Sequence, residues 1–182
     1  MSLAALSFIT ALSAPVALPE VEVKVLERGS FVIQVDKYQA PKLSIHFLGL
    51  VDSGFYDGIL WHRKVDGFVI QTGDPASKKV DQAWARAHPG ERGGTKGLGE
   101  GGSGKSVPYE VNDLIHNKYA VGMALESPMD DSGDSQFFIN IADNHRLNGL
   151  YEVFGKVTEG RNVVDSIQRA DKIVSIKRRP RR

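Results

Sequence analysis

The chain has 182 residues, 41% of them hydrophobic and 25% charged, which is enough to bury one sizeable core and too few for two ordinary domains. A formal net charge of +1 provides no field that would recruit nucleic acid or an anionic membrane surface. The absence of cysteine excludes disulfides, thiolate catalysis and cysteine-ligated metals, while leaving the compartment open.

Residues 1–20 read as an N-terminal extension. The apolar stretch from Leu3 to Leu18 resembles the remnant of a secretory signal, but it lacks a basic segment ahead of it and contains Pro15. It is also too short for a comfortable membrane span, and no other apolar run approaches its length. The expected compartment is therefore cytoplasmic or, if that stretch is a signal, periplasmic or secreted.

An isolated domain is expected over residues 21–177. Val21, Val23 and Val25 alternate with Glu22 and Lys24, and after Arg28, Gly29 and Ser30 the apolar run resumes at Phe31 through Val35, which predicts a β-hairpin. Pro41 suits a first helical turn, and Leu43, Phe47, Leu50 and Val51 recur at helical spacing until Gly54. Residues 59–71, apolar but interrupted by the charged set His62, Arg63 and Lys64 and by Gly67, predict two strands around a bend. From Thr72 to Ser106 neither period survives, so a long loop is expected, and long loops in compact domains tend to carry function. Short strands are predicted over 119–125, 136–141 and 152–157, a second helix near 161–169 and a last strand over 173–176. Many short strands with two separated helices point to a helix-capped barrel rather than alternating βαβ units. Residues 178–182 are a basic tail, read as a solvated end.

Residues 99–106, Gly-Glu-Gly-Gly-Ser-Gly-Lys-Ser, match the phosphate-loop pattern. Such a loop works only when a buried strand delivers it and a helix starts at its lysine. The upstream residues 89–96 are too rich in glycine and charge for a buried strand, and Pro108 leaves no room for the helix. Nucleotide hydrolysis is therefore not expected.

Two segments carry a specific resemblance. Residues 61–74, from Trp61 through Arg63, Phe68, Gln71 and Asp74, and residues 135–140, Ser-Gln-Phe-Phe-Ile-Asn, are similar to the signature regions of the cyclophilin family of peptidyl-prolyl cis-trans isomerases. The glycines at 101, 102 and 104, the Glu110 region, residues 122–124 and residues 153–157 fall where that family has similar residues. The resemblance runs over about residues 21–176.

It implies a mainly β fold, a closed eight-stranded antiparallel β-barrel capped by two α-helices, with the groove on the barrel's outer face. Carried over by motif position, Arg63 is the catalytic guanidinium and Gln71 the residue that orients it. Phe68, Val69, Phe138 and Leu147 are the proline pocket, and the backbone of Leu125 binds the substrate carbonyl. Met123, Ala124, Gln136 and Tyr151 complete the substrate-binding set. The implied partners are proline-containing peptides and unfolded proteins, with no cofactor, no metal, no nucleic acid and no membrane span, and a monomer is the default.

These residue types suit the chemistry. Amide resonance imposes a rotational barrier of about 18–20 kcal/mol, and as the Xaa-Pro bond twists the prolyl nitrogen regains its lone pair. A donor aimed at that nitrogen binds the twisted state better than either planar one, and arginine keeps its charge at any working pH. An apolar pocket grips the pyrrolidine ring and excludes water that would compete for the guanidinium.

The chain departs from the family pattern at several points. Arg146 stands where many members have tryptophan, Tyr151 where they have histidine, and Asp66 where a proline usually precedes Gly67; the insert over 77–99 is longer than in compact members. The tryptophan position is associated with cyclosporin, so weak cyclosporin binding is expected. Two functions compete: an active isomerase assisting protein folding, and a peptide-binding or chaperone module with weak or no turnover. His62, His116 and His145 lack metal-like spacing and are expected to be structural or exposed.

Overall fold

Eight strands form one antiparallel sheet in the order β3-β4-β6-β5-β7-β2-β1-β8 in the computed structural model, which describes residues 17–87 and 98–180. The strands are β1 (Glu20–Val25), β2 (Gly29–Val35), β3 (Arg63–Val65), β4 (Val69–Thr72), β5 (Ala120–Met123), β6 (Phe137–Asn140), β7 (Val153–Glu159) and β8 (Ile173–Arg178). The hairpin expected from the opening alternation is β1 with β2, in register from Glu20 opposite Gln34 to Val25 opposite Gly29.

The barrel is less closed than expected. The two edges, β3 and β8, share no ladder. They are stitched just upstream of both strands, where Leu60 bridges Lys172, the Trp61 N–H donates to the Asp171 carbonyl at 2.9 Å and the Ile173 N–H to the Ile59 carbonyl at 2.8 Å. The sheet is thus a curled half-barrel joined along a short seam.

Its concave side is filled by aromatic rings. Phe31, Phe47, Tyr56, Trp61, Phe137 and Phe154 are each at most 1% exposed, and the Phe47 and Phe137 rings meet edge to face at 5.5 Å. With the interior packed, the grooves that remain lie on the outer surface.

Three α-helices accompany the sheet: α1 (Pro41–Asp52), α2 (Gln82–Ala87) and α3 (Arg161–Ser166). Leu43, Phe47, Leu48 and Val51 of α1 turn into the core, while Ile45 on the opposite face is 74% exposed. Pro41 opens the helix, and Glu110 from a distant loop caps it, accepting the Lys42 and Leu43 N–H groups at 3.1 and 2.9 Å. Helices α1 and α3 are the two predicted.

The third corrects the reading of residues 72–106 as unstructured loop. A 3-10 turn at Pro75–Lys79 and then α2 lie over the seam, where Ala85 packs on Leu60 and Ala170. Arg86 and Arg28 converge on the buried Asp171 carboxylate at 2.9 and 2.8 Å. Burial alone would raise that carboxyl, but hydrogen bonds from Arg28, the Gln168 amide and Arg86 hold it below the usual carboxylate range.

The chain end is also more engaged than a solvated tail. Arg178 closes β8 and pairs with Asp52 at 2.6 Å, and Arg179 pairs with Glu159 at 2.8 Å. Most of the apolar N-terminal stretch, residues 1–16, lies outside the described residues. Among the described residues, no helix is long and apolar enough to cross a membrane.

Candidate active site

Strands β3 and β4 are joined by a four-residue turn in which the Phe68 N–H donates to the Val65 carbonyl at 3.0 Å and Gly67 takes φ +68°. This turn sets the register in which Arg63 stands opposite Gln71. One side chain from each strand therefore emerges on the same outer face. Strand β6 continues the sheet and places Phe138 opposite Gln71.

Nine of the eleven expected residues line one groove of about 200 Å³: Arg63, Phe68, Val69, Gln71, Ala124, Leu125, Phe138, Leu147 and Tyr151. Its floor is apolar, with Val69 at 2% and Phe138 at 5% exposure. The Phe138 ring meets Tyr151 edge to face at 6.2 Å, and Arg63 sits at the rim, exposed, with its guanidinium 5.8 Å from the Phe68 ring centre.

Gln136 lies one step away, in an adjoining cavity of about 470 Å³ that shares Gln71, Ala124 and Leu125 with the groove. Its role is a relay. Arg63 Nη1 donates to Gln71 Oε1 at 3.2 Å, Gln71 Nε2 to Gln136 Oε1 at 3.0 Å, and Gln136 Nε2 to the Gly101 carbonyl at 2.8 Å. A backbone carbonyl of the glycine-rich loop thereby fixes two amides in turn and, through them, the guanidinium.

Met123 is a correction. It is 1% exposed and belongs to the core, because strand alternation turns it inward and leaves Gly122 facing out beneath Phe138. A Cβ at Gly122 would stand 2.5 Å from Phe138 Cζ, so the ring occupies the space that a side chain would take.

A supporting layer behind the groove was not foreseen. His116 stacks on Phe138 with ring centres 5.6 Å apart. Its Nδ1 accepts from the Asn140 amide at 3.2 Å and its Nε2 donates to the Tyr151 carbonyl at 3.0 Å, so the neutral ring is satisfied at both nitrogens. Burial pushes its pKa down, in keeping with a neutral ring. Asn144 ties the Phe68 carbonyl at 2.9 Å to Asn140 Oδ1 at 2.8 Å. Asn140 ends the 135–140 segment and His116 is one of the histidines expected to be structural or exposed, but no spacing ties them and Asn144 to Phe138; only the fold brings them together.

The phosphate-loop pattern fails in three dimensions as expected. No helix follows Lys105, and two of the loop's N–H groups are committed to carboxylates. Gly99 N–H donates to Asp74 Oδ2 at 2.6 Å and Gly104 N–H to Asp134 Oδ2 at 2.9 Å. Two carboxylates beside the loop would repel an anion rather than cradle it.

A family model described as cyclophilin type peptidyl-prolyl cis-trans isomerase matches residues 20–182. The chain belongs to the cyclophilin family. Among its relatives, a peptidyl-prolyl cis-trans isomerase of Arabidopsis thaliana is 38% identical over 136 residues, covering 72% of this chain and 71% of that protein. One from Synechococcus elongatus is 32% identical over 153 residues, covering 83% and 90%. The cyclophilin fold is shared with the crystal structure of a Cryptosporidium parvum cyclophilin type peptidyl-prolyl cis-trans isomerase, at TM-score 0.71 and 24% identity over 91% of this chain and 99% of that one. The same Cryptosporidium protein has also been solved in the presence of the dipeptide Ala-Pro, at TM-score 0.70 and 25% identity.

Proposed function

We propose that this cyclophilin accelerates cis-trans rotation about Xaa-Pro bonds in flexible or unfolded protein segments, with Arg63 as the group that favours the twisted bond. The observation that supports this most is a guanidinium braced by Gln71 at 3.2 Å, paired with no carboxylate among the described residues, at the mouth of an apolar groove. A cation already neutralised would have little to offer the prolyl nitrogen. This one has donors to spare, because a guanidinium carries five N–H groups and Gln71 engages one of them.

The pyrrolidine ring enters between Phe68, Val69, Phe138, Leu147 and Tyr151. The preceding carbonyl is received at the backbone of Leu125, between the groove and the adjoining cavity. As the bond twists, the prolyl nitrogen becomes pyramidal and accepts from Arg63, while Gln71 holds the fork so that no side-chain ordering is needed at that moment. A charge-assisted hydrogen bond made only in the twisted state contributes about 1.5–3 kcal/mol, or roughly 10- to 150-fold in rate.

The reading is tested by following cis-to-trans conversion of a short Ala-Pro peptide with and without the protein. Acceleration proportional to enzyme concentration supports it. Peptide binding without acceleration would instead make the chain a peptide-binding or chaperone module. Action as a monomer and weak cyclosporin binding complete the proposal.

A further inference from the structure

Phe68 lies under two guanidinium groups. Arg146 Cζ is 4.6 Å from its ring centre and Arg63 Cζ 5.8 Å. Arg146 belongs to the short 3-10 turn His145–Leu147, and Asn144, just before it, is bonded to the Phe68 carbonyl at 2.9 Å. The second arginine is thus anchored to the same groove wall as the first. Neither pairs with a carboxylate among the described residues, whereas Arg28, Arg86, Arg178 and Arg179 each do.

Two unneutralised cations on one ring leave a positive field at the mouth of the groove. Stacking on an aromatic face satisfies the flat surface of the Arg146 guanidinium but not its edge, where the N–H donors lie. The complementary ligand is a carboxylate. Phe68 lines the groove and consecutive Cα atoms are 3.8 Å apart, so a residue flanking a proline seated there would lie beside the ring that carries Arg146.

We propose that Arg146 is a specificity-determining residue which selects peptides carrying aspartate or glutamate beside the proline. The inference rests on the isomerase groove proposed above, but its own consequence is a charge preference. The attraction acts at a solvent-facing rim, so it is modest: about three- to fivefold in affinity at low salt. Screening should shrink it at about 0.5 M salt.

The test compares four proline peptides, Ala-Pro followed by glutamate, lysine or glutamine, and Glu-Pro followed by glutamine, measuring both binding and kcat/KM. For the wild type, one of the two glutamate peptides should exceed the glutamine peptide by about threefold, and the lysine peptide should fall below it. Arg146→Gln should bring the ratios near one, Arg146→Lys should keep part of the preference, and Arg146→Glu should reverse it. These readouts are ratios between peptides on the same variant, so a general structural effect cancels. Equal handling of all four peptides, or a glutamate preference unchanged in Arg146→Gln, would overturn the proposal. Selective binding without rate acceleration for any peptide would sink the isomerase reading and leave the charge preference standing.

Discussion

Arg63 and Gln71 face each other across β3 and β4, and the 3.2 Å hydrogen bond between them is the first link of a relay that ends on the Gly101 carbonyl. The guanidinium is therefore held by the sheet and by the glycine-rich loop at once. Gln71→Leu keeps the side-chain volume and removes both links. It should lower kcat/KM on a proline peptide about tenfold, from one lost hydrogen bond to a charged group, with little change in melting temperature. Gln136→Leu, one link further out, should give a smaller loss in the same assay.

Gly122 lies directly beneath the Phe138 ring, with 2.5 Å between a built Cβ and Cζ. Phe138 cannot retreat freely because His116 stacks on it and Tyr151 meets it edge to face. Gly122→Ala should push the ring into the groove, weaken peptide binding about tenfold and cost about 1–3 kcal/mol of stability. Calorimetric unfolding and a peptide titration on the same sample check both.

His62 precedes Arg63 and is only 7% exposed. Burial lowers its pKa to about 4; Asp74 opposes this, and Arg63 and Arg169 add to it. The folded state thus resists a proton that the unfolded chain accepts near pH 6.5. The stability associated with neutral His62 is present above about pH 6.5, falls as the pH drops towards about 4, and is flat below that. The span amounts to on the order of 3 kcal/mol. His62→Gln should flatten the difference between unfolding free energies at about pH 7 and about pH 4.5 relative to the wild type.

Asp171 joins the seam of the half-barrel to α2 and to the β1–β2 turn through Arg86 and Arg28. Asp171→Asn should destabilise by about 2 kcal/mol, below the roughly 3–5 kcal/mol of a fully buried pair because both arginines reach solvent. Protease cleavage within residues 75–87 should become faster than elsewhere in the chain.

Arg146 stands where many cyclophilins have tryptophan and puts a charge over Phe68 at 4.6 Å. Cyclosporin should inhibit only above the micromolar range, and Arg146→Trp should strengthen inhibition about tenfold or more. A submicromolar inhibition constant for the wild type would contradict this.

Much of this fold was legible because the strands carry their pattern locally. The alternation of Val21, Val23 and Val25 is the β1–β2 hairpin, and the helical spacing of Leu43, Phe47 and Val51 is the inward face of α1. The helix α2 was not legible: it has six residues, and its single buried residue, Ala85, packs on Leu60 and Ala170, both remote in sequence. Met123 was misplaced because motif similarity marks a segment, while strand alternation decides which of its side chains face out. The amide relay and the layer behind Phe138 depend on contacts between separate strands and loops, which no spacing along the chain encodes.

In the proposed mechanism Arg63 acts on the twisted bond rather than on peptide binding. Exchange spectroscopy by NMR on an Ala-Pro peptide separates the two, giving the on-enzyme interconversion rate and the dissociation constant for wild type, Arg63→Lys and Arg63→Ala. Interconversion should fall about 10- to 150-fold in Arg63→Ala, with affinity within about threefold and Arg63→Lys in between. Wild-type interconversion retained in Arg63→Ala, or a loss confined to affinity, would contradict it.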